Sequence, residues 1–409
     1  MKPFLCTICG KRRFATDYGR AEHQRALHGI RGEKSIPCSY LFCTRKFRHE
    51  FDLTQHLENP GKWHDKKGNS SSYLPPTVLF VPPRREEEKA IFERACSSLE
   101  VNKFICDKLQ PDEIFHRPIN DAIDSLYREL QRDLQYTNYG IYNLIKGGSI
   151  AKGTAVKSNA DLDCVMVMNG IENASQLSSK LPDILRMLQS RLGSSMRDSW
   201  RLTSIKETHF SLQFNMSRYF NPGESFEVDL LPTFEASVEG INERFYRKML
   251  EDKTNWPYYS AALVKIQRDF VRERPASVKD LIRLVKYWRK TFIPQSGSKH
   301  LPPSYLLELL TIHAWENVNR PERFDMKIGF KAVMEVLKNH RNVRVSWEDY
   351  YRRNLIPSSL LYGPYVIDPA NPTNNLYDRV DCWDEVKKVA EETMRKPLLR
   401  DVWVTANWR

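Results

Sequence analysis

From Arg85 onward the apolar positions fall into a helical rhythm. REEEKAIFERA opens a helix-rich entry, and in FHRPINDAIDSLYRELQRDL the residues Ile119, Ile123, Leu126 and Leu130 recur three and four apart, one face of a helix. The rhythm then changes. NLIKGGS, DLDCVMVM, HFSLQFNMS and SFEVDLLPTF are short apolar or alternating runs of strand type. After Glu235 it turns helical again, most clearly in ALVKIQRDFVRER, SVKDLIRLVKYWRKTF and SYLLELLTIHAWENV. This order predicts a mixed α+β domain followed by a helical one. Upstream, the stretch DKKGNSSSYLPPTVLFVPPRREEEKA is rich in Gly, Ser and Pro and then charged, and residues 65–84 read as a linker. The expected divisions are residues 1–64, 65–84, 85–240 and 241–409.

Composition narrows the partners. The 409 residues are 41% hydrophobic and 11% aromatic, enough for a core and too apolar for a disordered chain. Lys and Arg outnumber Asp and Glu by 63 to 51, a net charge of +12, and residues 1–64 alone carry 12 basic against 6 acidic side chains. Such a balance points to an anionic partner, nucleic acid or nucleotide. No apolar run is long enough for a membrane helix, and MKPFLCTICGKRR lacks the apolar core of a signal peptide. The expectation is a cytoplasmic or nuclear protein, in which spaced cysteines favour metal over disulfides.

Four of the eight cysteines crowd the first 43 residues. Cys38 and Cys43, followed by Phe47, Leu53, His56 and His64, have the order of a ββα finger, in which four N/S ligands enclose Zn²⁺ and a tiny core closes around it. The interval from His56 to His64 contains Pro60-Gly61, so the helix must break before the last ligand, and His49 or water competes with His64 for that place. Cys6, Cys9, His23 and His28 form a second set, with Phe4 and Phe14 near the aromatic positions and Arg20 where a core Leu is expected. HGIRGEKSIPC joins the two and resembles the linker of tandem nucleic-acid-binding fingers. Two structural Zn²⁺ ions are expected, with nucleic acid or protein as the fingers' partner. Cys96, Cys106, Cys164 and Cys382 lack ligand spacing.

The segment IKGGSIAKGTAVKSNADLDCVMVM carries candidate chemistry. Gly147, Gly148 and Ser149 make a turn whose amides can approach phosphate closely, with Lys152 and Thr154 adding donors. Asp161 and Asp163 stand two apart in a strand, so both carboxylates share a face suited to a pair of Mg²⁺ ions. Asp229, between Val228 and Leu230 in SFEVDLLPTF, supplies a third acid from a strand too apolar for an idle charge. Arg283 and Lys286 lie inside the apolar LIRLVKYW, where an unpaired charge is costly, and suggest a phosphate-facing pair. Lys265, Arg268 and Arg272 fall on one helical face.

The pattern Gly-Ser-x4-Thr-x6-Asp-x-Asp with a later Asp resembles the polymerase-β-like nucleotidyltransferases. IQRDFVRERPASVKDLIRLVKYW, LPPSYLLELLTIHAWE and PYVIDPANPTNNL further resemble the 2′-5′-oligoadenylate synthetase family, from about Leu99 to the end of the chain. The resemblance implies a polymerase-β-like domain plus a helical C-terminal domain, preceded here by two fingers. It implies Asp161, Asp163 and Asp229 as catalytic ligands of two Mg²⁺, and Gly148, Ser149, Lys152, Thr154, Arg283, Lys286 and Tyr305 around ATP. Lys146, Arg268 and Arg272 match positions that touch duplex RNA, and Lys265 shares their stripe. The implied reaction joins ATP into 2′-5′-linked oligoadenylate with release of pyrophosphate, stimulated by double-stranded RNA. Two departures stand out: Ser304 replaces the Gln of mammalian members, and those members lack fingers. The first leaves room for a cyclic dinucleotide product, as in relatives of cyclic GMP-AMP synthase. The second bears on activation, because the fingers could supplement or replace duplex binding by the core. A separate reading is a nucleic-acid-binding finger protein with an inactive transferase scaffold.

Overall fold

The computed structural model describes residues 89–409, except 135–136, 138, 158–160, 196–199, 219–224, 237–239 and 294–299, together with four two-residue strands nearer the N-terminus. Residues 1–81 and 82–409 form separate compact units. In the first, β1 (Phe4–Leu5) pairs antiparallel with β2 (Arg13–Phe14), and β3 (Ile36–Pro37) with β4 (Lys46–Phe47). The intervals between paired strands contain Cys6 and Cys9 in one case and Cys38 and Cys43 in the other. The eight candidate zinc ligands themselves lie outside the described residues.

The second unit begins with α1 (Ser98–Phe104), capped by Ser97 and Glu100 in a reciprocal capping box. The long helix α2 (Glu113–Leu134) follows and buries Ile119, Ile123, Leu126 and Leu130 as its periodicity requires. Next come β5 (Ile141–Lys146), the short helix α3 (Gly148–Lys152), β6 (Asp161–Met168), α4 (Ala174–Ser195), β7 (Trp200–Glu207), β8 (Leu212–Arg218) and β9 (Ser225–Thr233). The five strands form one sheet in the order β5-β6-β9-β8-β7, antiparallel except for β6 and β9, which run parallel. Helices α2 and α4 pack together and against the sheet. From Cys164 to Met168, β6 is buried throughout, which is why its sequence is a continuous apolar run. The strand β7 escapes a sequence reading because it is an edge, half exposed and polar in alternation.

The helices after the sheet are α5 (Glu243–Glu251), α6 (Trp256–Ala262), α7 (Val264–Arg272), α8 (Ala276–Phe292), α9 (Ser304–Glu316), α10 (Met326–Lys338) and α11 (Trp383–Arg395). Between the last two lies an unexpected three-stranded sheet, β10 (Arg344–Val345), β11 (Tyr365–Asp368) and β12 (Asn371–Asn375).

Packing does not follow the boundary expected at residue 240. Ile91, Phe92, Val101, Ile105 and Leu109 join the core of α8, α9 and α10 around Trp288. Conversely, Tyr246, Met249, Tyr259 and Leu263 join Leu162, Cys164 and Met166 beneath the sheet. The chain thus crosses between its two cores near Leu109 and in the region of α7, and Tyr351, Leu355, Ile356, Tyr365, Ile367 and Ala370 return to the sheet core. Among the described residues no helix is long and apolar enough to cross a membrane.

Trp288 is fully buried and its indole Nε1 donates to Thr393 Oγ1 at 2.8 Å, tying α8 to α11. Trp288→Ala removes a large buried ring and one hydrogen bond and is expected to cost about 3–5 kcal/mol. Urea unfolding checks this, and an unchanged midpoint would refute the packing described.

Candidate functional site

The site begins where β5 ends. Gly147 N donates to Asp163 O at 2.8 Å, holding the turn against β6. Gly148 then adopts φ +61°, left-handed geometry that favours glycine, and a Cβ there would overlap the Asp163 carboxylate. The turn runs into α3, and Gly153 closes that helix in a second left-handed position at φ +74°. Sequence patterning reads this segment as strand continuing into turn. The two positive-φ glycines make it a five-residue helix instead.

The acids are brought together by register. Asp163 pairs across the parallel ladder with Asp229, and Asp161 with Glu227. Asp161, Asp163 and Asp229 line one opening with Ser204, Lys206 and Gln213. Burial first, and then the charges of Asp229 and Asp161, push the Asp163 carboxyl up to about 6. Asp229 Oδ1 is buried without a hydrogen-bond partner among the described residues, while Oδ2 takes a long contact of 3.5 Å from Gln213 Nε2. Among the described residues no group of three His, Cys, Asp or Glu side chains is placed to hold a metal ion as it stands. The donor set still suits a divalent cation of oxygen preference, because added positive charge relieves both the acid repulsion and the orphaned oxygen.

Asp161 and Asp163 also border a second cleft, reached from Gly148 and Ser149 and walled by Lys152, Lys286, Arg289, Lys290, Ser304, Tyr305 and Glu308. Its organising residue is Glu308, which the sequence reading passed over. The side chain is 1% exposed and accepts from Lys152 Nζ at 3.0 Å and Thr154 Oγ1 at 2.6 Å, with Lys286 Nζ 3.5 Å away. Burial alone would raise its pKa. The charges of Lys152 and Lys286 and the Thr154 hydroxyl reverse this and hold it below the ordinary glutamate value. A lone acid within SYLLELL was the available signal, by the argument that flagged Arg283 and Lys286.

The nominated nucleotide residues are divided by the fold. Gly148, Ser149, Lys152, Lys286 and Tyr305 line the cleft. Lys152 sits over the Tyr305 ring, 3.8 Å from its centroid. Thr154 and Arg283 are not on the cleft wall. Thr154 turns inward to Glu308, whereas the Arg283 guanidinium donates to Gly153 O at 2.6 Å, Ala155 O at 3.0 Å and Asp280 Oδ1 at 2.6 Å. Lys286 Nζ likewise donates to Thr154 O at 3.1 Å. The basic stripe of α8 therefore spends Arg283 on carbonyls just past α3 and places Lys286 between those carbonyls and the cleft. Lys290, next on the stripe of Arg283 and Lys286, joins that wall, as does Arg289, which the sequence reading did not single out.

The basic set nominated for RNA lies beside this turn. Lys146 ends β5 and donates to Asn120 Oδ1 at 3.1 Å. Lys265, Arg268 and Arg272 lie on α7, which packs against α3, with Glu235 3.8 Å from Lys265 and Asp269 3.0 Å from both arginines.

Known proteins are similar to this chain over much of its length. A family model described as 2′-5′-oligoadenylate synthetase 1, domain 2, C-terminus, matches residues 239–408. The rat (Rattus norvegicus) 2′-5′-oligoadenylate synthase 3 is 31% identical over 341 residues, 76% of this chain and 29% of its own length. The mouse (Mus musculus) 2′-5′-oligoadenylate synthase 1A is 29% identical over 341 residues, 76% of this chain and 88% of its own. Over these stretches the chain is similar to 2′-5′-oligoadenylate synthases. It spans less than half the length of the synthase 3 and synthase 2 relatives from rat and mouse. The solved structure of Escherichia coli MS115-1 CdnC with ATP aligns with 73% of this chain and 89% of its own, at 20% identity and a TM-score of 0.47, a likeness too loose to carry an argument. Within the synthetase-type match fall α7, α8, Tyr305 and Glu308, whereas the three acids lie upstream of it.

Two predictions follow from this geometry. Glu308→Gln leaves two ammonium groups without their buried counter-charge, and breaking such a pair costs about 3–5 kcal/mol. Because the Glu308 pKa is depressed, its contribution is present above the ordinary glutamate value of 4.5 and is lost as pH falls below it. Urea titrations from pH 7 to pH 3 should therefore show the wild-type advantage shrinking toward acid, and a pH-independent difference would refute the ion-pair account. Gly148→Ala should destabilise by more than the roughly 1–2 kcal/mol of left-handed strain alone. Gly170→Ala, at φ +71° with nothing within 4 Å, is the control that reports strain only. Equal losses in the two variants would remove the Asp163 contact from the explanation.

Proposed function

We propose that this chain is a template-independent nucleotidyltransferase of polymerase-β-like arrangement that joins ATP into 2′-5′-linked oligoadenylates, releases pyrophosphate and is stimulated by double-stranded RNA. The observation that carries the reading is the parallel register of β6 and β9, which sets Asp163 beside Asp229, with Asp161 two residues before, facing the Gly148–Ser149 turn. Asp161, Asp163 and Asp229 would hold two Mg²⁺, whose chemistry when bound is to offset triphosphate charge and ease ionisation of the attacking hydroxyl. The amides of the Gly148–Ser149 turn and the Ser149 hydroxyl bind the triphosphate. Lys286, with Arg289 and Lys290 on the same wall, offsets its charge from the other side, and Tyr305 floors the nucleotide. Asp229 takes the proton of the acceptor 2′-hydroxyl. That oxygen attacks the donor α-phosphorus in line, and the bond to pyrophosphate breaks. The protein's contribution is largely positioning and charge neutralisation.

Lys146, Lys265, Arg268 and Arg272 would contact duplex RNA through its backbone and shape, exchanging the carboxylates of Glu235 and Asp269 for phosphates. Residues 1–64 would form two zinc fingers, supported by the paired cysteines between the strands of each short hairpin. Their partner would be nucleic acid or protein. A second reading keeps the site and changes the product: Ser304 stands on the cleft wall where mammalian synthetases carry Gln, and an altered wall suits a cyclic dinucleotide.

Radiolabelled ATP, Mg²⁺ and the purified chain, with and without duplex RNA, test the reading. Products resistant to phosphatase and to a 3′-5′-specific nuclease, formed with RNA, are the expected result. A cyclic product from ATP and GTP mixtures would replace it with the second reading. Asp229→Ala should lower synthesis by at least about a thousandfold while duplex RNA still binds, and retained synthesis would sink the mechanism.

A further inference from the structure

The buried acid Asp368 takes no part in the chemistry above, yet it touches both of the surfaces that chemistry needs. It ends β11, is 0% exposed, and lies within VIDPANP, a segment whose fold the sequence reading did not anticipate. Four donors converge on its carboxylate. Tyr305 OH donates to Oδ1 at 3.1 Å and Ala370 N to the same oxygen at 2.9 Å. Gln267 Nε2 donates to Oδ2 at 2.7 Å and Asn374 Nδ2 at 3.1 Å. Burial raises its pKa, and all four bonds act in the opposite direction. A carboxylate meets this demand with two accepting oxygens, whereas an amide in its place would turn an NH₂ toward two of the donors.

The two sides of this acid lead to different places. Through Oδ1 it holds Tyr305, the ring under Lys152 and part of the cleft wall. Through Oδ2 it holds Gln267, which sits on α7 between Lys265 and Arg268, the helix with the basic face. Neither connection is made by the helices themselves. The carboxylate of a residue far along the chain supplies the link, and the Tyr351 hydroxyl fixes its backbone by donating to Asp368 O at 2.5 Å.

We propose that Asp368 is a positioning residue that sets Tyr305 for nucleotide binding and couples the cleft to α7 through Gln267. The inference rests on reading the cleft as a nucleotide site. A shift of α7 on its polyanion changes the pull of Gln267 on the carboxylate, and the same carboxylate holds the Tyr305 hydroxyl. A residue of purely structural importance would lower stability without selecting nucleotide affinity.

Equilibrium ATP binding in the presence of Mg²⁺, which needs no turnover, tests this on the full chain. Asp368→Asn should weaken ATP binding by about fivefold to tenfold, the scale of one or two lost hydrogen bonds. Tyr305→Phe, which keeps the ring under Lys152, should do the same. The double variant should be no worse than the weaker single, because both changes break one chain of contacts. Gln267→Leu should reduce the change in ATP affinity that duplex RNA produces while RNA still binds. Effects of Asp368→Asn and Tyr305→Phe that multiply, or wild-type ATP affinity in Asp368→Asn, would overturn the proposal. Should Asp368→Asn fail to fold, Gln267→Leu and Tyr305→Phe decide it, since each leaves three donors on the acid: a reduced RNA-induced change in ATP affinity in both supports coupling, and the wild-type change in both overturns it. Product analysis separates the two claims. A chain that makes some other product yet loses ATP affinity in Asp368→Asn keeps this inference and loses the synthetase reading, and a 2′-5′ synthetase with unchanged affinity does the reverse.

Discussion

The cleft depends on one buried carboxylate. Glu308 stands in a helix that is apolar on nearly every side, and there it gathers Lys152 and Thr154 from the turn after β5 and Lys286 from α8. Two ammonium groups so close together would repel each other and drive the turn away from the helices. With the acid between them they become a bridge from the sheet to the helical core. Desolvation makes the arrangement expensive, and it holds because each charge is met by hydrogen bonds as well as by its opposite. Arg283 adds to the same junction by satisfying the carbonyls of Gly153 and Ala155 just past α3. The position of the glycine turn, and so of any phosphate it cradles, follows from this ionic seam.

The neighbouring acids are governed by the opposite condition. Asp161, Asp163 and Asp229 stand together without a basic side chain to neutralise all three, and the cost appears as the raised Asp163 pKa and the orphaned oxygen of Asp229. A fold selected for stability alone has little reason to keep such a group. The function proposed above would give a direct one, since cations held among these acids would remove the destabilisation. The two clusters, one balanced and one unbalanced, meet at Asp161 and Asp163, which border both openings. Their adjacency gives the molecule a rigid floor beside a charge-hungry pocket.

The distribution of packing between the two cores has a consequence for how the molecule could respond to a ligand. Segments from each end of the chain return to stabilise the other part: Ile91 to Leu109 enter the helical core, and Tyr351 to Ala370 reach the sheet. The two cores are laced together by sequence as well as by contact. A displacement at α7 therefore meets structure on both sides, and the buried polar contacts around Asp368 and Glu308 are where it would be felt first, because hydrogen bonds are directional and apolar packing is not.

Much of this was legible before any coordinates. The 3.6-residue spacing of Ile119, Ile123, Leu126 and Leu130 dictated the buried face of α2, and the unbroken apolar run after Asp163 dictated a strand buried on both sides. The pairing of Asp161 with Asp163 on one face followed from the two-residue period of a strand. These are properties of neighbours in sequence, and local geometry propagates them without help. What tertiary structure decided was everything that depends on distant partners. Sequence placed Thr154 and Arg283 beside a phosphate, but the fold turned them to Glu308 and to backbone carbonyls, because a buried donor goes to the nearest acceptor that lacks one. It also decided that Glu308 and Arg289 belong to the site and that Asp368 meets Tyr305 and Gln267, since such partners are distant in the chain, and that Asp229 meets Asp163, since strand register is set by what both strands bury. A charge inside an apolar run announces that it has a partner. Only the folded chain names it.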